Sequence, residues 1–127
     1  MADAVLVVES NSTLRRTVAQ RLHLEGFAPV TVPTAREALQ MLRSGVPARL
    51  IILGLTIPIV ADGTFREELR HNPAFAQIPI IVLTATGAFE TGAIYREIID
   101  CEEVMRLVRT VFNPSERTQS FRIQLFL

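Results

Sequence analysis

Ala4-Val5-Leu6-Val7-Val8-Glu9-Ser10 and Leu50-Ile51-Ile52-Leu53-Gly54 decide the fold. Each is an unbroken apolar run, rich in β-branched residues, that stops at a polar residue or a glycine. A strand solvated on one face alternates apolar and polar residues. A run apolar at every position suits a strand covered on both faces, as in a parallel sheet with helices above and below. Pro79-Ile80-Ile81-Val82-Leu83 is a third run of this kind. Ala28 to Val32 is a shorter β-branched segment, and Ile94 to Ile99 holds a brief fifth strand. Pro29 cannot donate to a ladder, which places the Ala28–Val32 strand at an edge of the sheet.

Helical patterns separate these runs. Ser10-Asn11-Ser12 offers cap chemistry ahead of Leu14, Val18 and Leu22, which recur at four-residue spacing, and Gly26 ends the helix. Thr34-Ala35-Arg36-Glu37 is a capping box, with Ala35, Ala38, Leu39 and Leu42 as the apolar stripe and Gly45 as the stop. Asp62 to Arg70 reads as a third helix halted at Asn72-Pro73, with Asp62 as its N-cap. Thr86 to Gly92 has little periodicity and predicts a loop or a single turn. Asp100-Cys101-Glu102-Glu103 caps a last helix carrying Val104, Leu107, Val108, Val111 and Phe112, with Asn113-Pro114 beyond. The order predicts an α/β three-layer sandwich around a five-stranded parallel sheet of order 2-1-3-4-5, its fourth helix shortened or missing.

The 127 residues form one domain, expected over 1–112, followed by a tail over 113–127. The alternation Ser120-Phe121-Arg122-Ile123-Gln124-Leu125 in that tail is strand chemistry. It suits addition to a sheet edge in its own or a neighbouring chain, or the start of a longer chain. A hydrophobic content of 49% with 20% charged residues argues against disorder. Thirteen basic residues balance 13 acidic ones, so no long-range attraction to nucleic acid is expected. All the basic residues are Arg, which removes every mechanism that needs a side-chain ammonium. Cys101 is the single cysteine and forms no internal disulfide. No apolar stretch approaches the roughly 20 residues of a membrane span, and no signal peptide is seen at Met1-Ala2-Asp3-Ala4. A cytoplasmic protein is the expectation.

In an open parallel sheet, ligands sit at the carboxyl ends of the strands. Those ends carry Glu9-Ser10, Gly54, Thr84 and the region Tyr95 to Ile98. Together with Leu55-Thr56-Ile57-Pro58, Asp62-Gly63, Ile78 to Ala85 and Gly92-Ala93-Ile94-Tyr95, they make residues 4 to 112 resemble the response-regulator receiver domain, a flavodoxin-like fold. The resemblance implies a two-component or phosphorelay signalling role. Receivers bind Mg²⁺ through acidic residues after strand one and accept a phosphoryl group on an Asp ending strand three. They sense it with a Ser or Thr after strand four and a Lys at strand five. A hard octahedral cation needs carboxylate oxygens, and the acceptor must itself be a carboxylate.

The chain departs from that pattern at the positions that carry the chemistry. The acceptor position is Gly54 and the second acidic position is Ser10, leaving Glu9 alone. The lysine position falls on Glu97 or Ile98. Thr84 remains, and Tyr95 occupies the aromatic switch position. One extra residue lies between Pro58 and Asp62, and the region 86–92 is several residues short. The expectation is a pseudo-receiver: a phosphorylation-independent interaction module that is no enzyme, has lost Mg²⁺ binding and carries no cofactor. Its partner would be a signalling protein, or a second copy in a homodimer, contacted through residues 86–112, with no nucleic acid or membrane bound. Two alternatives stand beside it. One is a small-ligand sensor using a vacated pocket near Gly54 and Thr84, lined by Ile57, Ile59 and Val60. The other is an ordinary phosphoacceptor whose carboxylate is Glu9 or Asp62.

Several residues admit a plainer reading. Glu9 suits a solvated or Arg-paired carboxylate at the rim, and Thr84 a backbone hydrogen bond. Tyr95 suits either a buried ring or a partner-facing anchor. Cys101 lacks a nearby His in sequence, and His23 and His71 have no ligand-spaced companions. Gly87 and Gly92 have P-loop spacing, but Ala93-Ile94 stands where Lys-Ser/Thr is required.

Overall fold

The computed structural model describes residues 3–54, 59–82, 101–112 and 125–126. Along the chain run β1 (Ala4–Val8), α1 (Ser12–Leu24), β2 (Ala28–Val32), α2 (Ala35–Arg43), β3 (Ala48–Leu53), α3 (Ile59–Arg70), β4 (Ile80–Val82), α4 (Cys101–Phe112) and β5 (Leu125–Phe126). The sheet order is β2-β1-β3-β4-β5. The first four strands are parallel, in the expected order 2-1-3-4. The fifth position departs from expectation: Leu125–Phe126 of the tail pairs there, antiparallel to β4. The strand expected at 94–99 and the shortened fourth helix lie outside the described residues.

Period-two alternation in the buried strands builds two cores, one on each face. Val5, Val7, Leu50 and Ile52 face Val18 and Leu22 of α1 and the apolar stripe of α4. Leu6, Val8, Ile51 and Leu53 face α2 and α3, where Phe65 and Leu69 are buried. The continuous apolar runs are therefore consumed on both sides, and the sheet is the middle layer of three. Phe27 and Phe112, with ring centroids 5.0 Å apart, close the α1/α4 side. β2 is paired only with β1 among the described residues, so Pro29 sits where its missing N–H does no harm.

Local chemistry explains the helix boundaries. The Asn11 side chain accepts the Leu14 N–H at 3.0 Å as the N-cap of α1. The Thr34 hydroxyl accepts the Glu37 N–H at 3.1 Å and donates to the Glu37 carboxylate at 3.1 Å. Gly26 and Gly45 have φ of 94° and 103°, the left-handed turn that leaves α1 and α2. The third helix starts at Ile59, so Asp62 stands inside its first turn and is not its N-cap. The apolar Ile59-Val60-Ala61 carries no breaker, and anchoring of Phe65 and Leu69 in the core outweighs the roughly 1 kcal/mol helix penalty of Gly63. Among the described residues, no helix is long and apolar enough to cross a membrane.

Candidate functional site

The carboxyl ends of β1 and β3 meet at Glu9 and Gly54, and the sheet register explains how. Val7 lies opposite Ile52 and Val8 opposite Leu53. One step further, the Gly54 N–H donates to the Val8 carbonyl at 2.7 Å, and the Glu9 N–H donates to the Val32 carbonyl at 3.0 Å. By the alternation of the pleat, Glu9 follows Val5 and Val7 onto the α1/α4 face, and Gly54 follows Leu50 and Ile52 onto the same face. The two residues are neighbours on one side of the sheet.

The Glu9 side chain fills the place of the one Gly54 lacks. It is only 2% exposed. A Cβ added to Gly54 would stand 2.8 Å from Glu9 Cδ and 2.9 Å from Glu9 Cβ, with Oε1 closer still. Gly54 has no positive φ, so its glycine answers to space and not to backbone conformation. The space an acceptor side chain would enter is taken by the neighbouring carboxylate.

Three contacts hold the Glu9 loop. The Asn11 N–H donates to Glu9 Oε2 at 2.6 Å, a charge-assisted bond at the N-terminus of α1, where the helix dipole favours an anion. Arg15, one turn into α1, donates from Nη1 to the Glu9 carbonyl at 2.7 Å and reaches the Ser10 carbonyl at 3.5 Å. These bonds tie the β1–α1 turn to the helix that follows it. The expectation of a solvated or Arg-paired carboxylate at the rim is corrected in its exposure: the carboxylate is buried, and Arg15 bonds the Glu9 backbone carbonyl. The missing side chain on Gly54 leaves the room it occupies. Asn11 and Arg15 are the residues that sequence reasoning missed as parts of this site. Their signal was the position of Asn11 at a helix start and of Arg15 one turn later.

Ser10 is exposed beside this pair. Thr84, Tyr95, Glu97 and Ile98 lie outside the described residues. Among the described residues, one carboxylate, that of Glu9, faces this corner, already packed on Gly54 and bonded to the Asn11 amide, which is too few oxygen ligands for a divalent cation. Among the described residues, no three His, Cys, Asp or Glu side chains converge as a metal site would require. Glu9 fills the space directly beside Gly54, while Thr84, Ile57 and the side chains of Ile59 and Val60, the rest of the expected ligand pocket, lie outside the described residues. Grooves of about 420 and about 470 Å³ lie elsewhere, the first beside Arg49, Pro79 and Phe112, the second between α2 and α3 beside Leu39 and Glu68.

Farther along the same layer, Glu25 is bonded by Arg109 of α4 through Nη2, with Nε at 3.4 Å, and Arg21 lies 4.0 Å away. The Arg109 hydrogen bond, followed by its charge and that of Arg21, holds the Glu25 carboxyl below its ordinary value against some desolvation.

Comparison with solved structures decides the architecture. The chemotaxis response regulator CheY4 of Vibrio cholerae superposes with a TM-score of 0.74 at 22% identity, covering 87% of this chain and 99% of that one. The fold is a receiver fold. The receiver domain of a signal-transduction histidine kinase from Syntrophus aciditrophicus gives a TM-score of 0.74 at 24% identity over 94% of this chain and 97% of that one. In sequence, the receiver-like chain is 32% identical over 85 residues to the probable transcriptional regulator ycf27 of Pyropia yezoensis, covering 67% of this chain and 33% of that protein. It is 32% identical over 100 residues to the phosphate regulon regulatory protein PhoB of Escherichia coli, covering 73% of this chain and 43% of that protein. The chain thus spans less than half the length of these curated relatives. No protein-family model matches it. Resemblance to response-regulator receivers is shown in both sequence and fold.

Proposed function

We propose that this receiver-like chain works without phosphorylation, as a protein–protein interaction module of a two-component or phosphorelay system. The observation that carries the reading is the Glu9 side chain packed against Gly54 in the place of an acceptor carboxylate. Phosphoryl transfer needs an oxygen nucleophile and cations to offset the charge that arrives. Position 54 offers no side chain, and the chain contains no Lys to read a product. With Glu9 the one carboxylate buried at this corner among the described residues, the corner favours a single conformation over a phosphate-driven equilibrium.

On this reading the domain has no catalytic activity and no need of Mg²⁺, and it acts in the cytoplasm. Its partner, a signalling protein or a second copy, meets the region 86–112. In the described part of that region, Val104, Met105, Leu107, Val108 and Val111 are buried, so α4 offers a partner its polar side, including the exposed Arg106. The relatives named as transcriptional regulators extend well beyond the matched stretch. Binding of DNA would need a segment of that kind, since nothing in the neutral charge balance supports it here.

Incubation with acetyl phosphate or beryllofluoride plus Mg²⁺ tests the reading by intact mass and thermal melting. The expected outcome is no added mass and an unchanged melting temperature. A stoichiometric, Mg²⁺-dependent adduct would overturn it, and mapping that adduct to Glu9 or Asp62 would establish the displaced-acceptor alternative.

A further inference from the structure

β4 is three residues long, and its Ile80 and Ile81 are buried. Its outer edge is covered by a strand of only two residues, Leu125–Phe126, with Phe126 opposite Ile80 and Leu125 opposite Ile81. An apolar strand edge pairs with whichever extended segment of suitable pattern reaches it. The sequence around β5, Ser120-Phe121-Arg122-Ile123-Gln124-Leu125, is an alternating strand pattern without an acidic residue, in place of a charged tether.

The length of chain before β5 widens the choice of edge. The twelve residues 113–124 separate Phe112 from Leu125. Extended, they span about 40 Å, against roughly 35 Å for the width of a domain this size. A second copy presents an identical β4 edge, so the tail strand makes the same register and the same contacts there as at home. Exchange of identical elements between copies sacrifices no contact, and the balance is then set by concentration and linker length.

We propose that the β4 edge is a strand-addition site whose partner is the Leu125–Phe126 strand of a second copy, two chains exchanging tails reciprocally about a twofold axis. This surface lies at the sheet edge and is independent of the phosphorylation state of the Gly54 corner.

The test uses the 127-residue chain with Cys101→Ser, so that introduced thiols are the only ones. One batch carries Ile81→Cys and a second carries Leu125→Cys; the two are mixed at high concentration, allowed to exchange and oxidised. Neighbouring antiparallel residues lie within disulfide range, so exchange yields a covalent heterodimer on non-reducing mass spectrometry. The unsubstituted chain should show a mass by light scattering that rises toward twice the monomer with concentration, and deletion of residues 121–127 should abolish that rise. If the cysteine at 81 impairs folding, Ile80→Cys and Phe126→Cys probe the adjacent pair. A chain that stays monomeric at every concentration overturns the proposal, as does a mixture of the two cysteine variants that gives no covalent heterodimer. A dimer that survives the deletion overturns it equally.

Discussion

Glycine at position 54 and glutamate at position 9 depend on each other. Either alone would be unremarked: a glycine at a strand end is common, and a glutamate after β1 is shared with receivers. Side by side on one face, they form a packed unit in which a carboxylate takes the room of a missing side chain. Gly54→Ala must push Glu9 aside, displacing Cβ as well as the mobile carboxylate, and should cost about 1–3 kcal/mol, as overpacking does. Glu9→Ala removes the carboxylate and leaves only the Cβ 2.9 Å away, so the same alanine at 54 should then cost less. A double-mutant cycle in urea should return a coupling of about 0.5–3 kcal/mol. Additive effects would show that the two residues do not share the space.

The helices of the α1/α4 layer are joined by the Glu25–Arg109 pair, and their coupling has a pH signature. Arg109 holds the folded-state carboxyl of Glu25 below its ordinary value of 4.5. A group depressed on folding adds stability above its unfolded pKa and loses it as pH falls through the folded value. The contribution is therefore intact at neutral pH and decays below the ordinary glutamate range. Thermal melts of the parent and of Arg109→Gln should differ at pH 7 and converge as the buffer is made more acidic. Partial exposure of the pair and added salt keep the difference small. A gap that widens on acidification would contradict this assignment.

Across the whole molecule, the two helical layers share one sheet whose strands are buried on both faces. Loss of packing on either side is thus felt by the same β1 and β3. Phe65→Ala on the α2/α3 face should destabilise by about 3–5 kcal/mol, and Val108→Ala on the opposite face by a smaller amount. Each variant should still unfold in a single transition, with far-ultraviolet and near-ultraviolet circular dichroism coinciding. Separate melting of one layer would indicate that the sheet does not couple them.

Four strands, their parallel order, the edge position of Pro29 and the caps at Asn11 and Thr34 were legible in the sequence because each rests on local chemistry: apolar runs, a missing N–H, a side-chain acceptor at a helix start. The absence of a side chain at position 54 was equally legible, since glycine has none wherever it is placed. The start of α3 was not, because core packing of Phe65 and Leu69 overrides the local breaker signal of Gly63. Where the Glu9 carboxylate goes, and which segment lies on the outer edge of β4, were decided only by tertiary structure. Both depend on residues distant in sequence being brought together by strand register, 45 positions apart for Glu9 and Gly54 and 44 for Ile81 and Leu125. No local pattern specifies contacts across such distances.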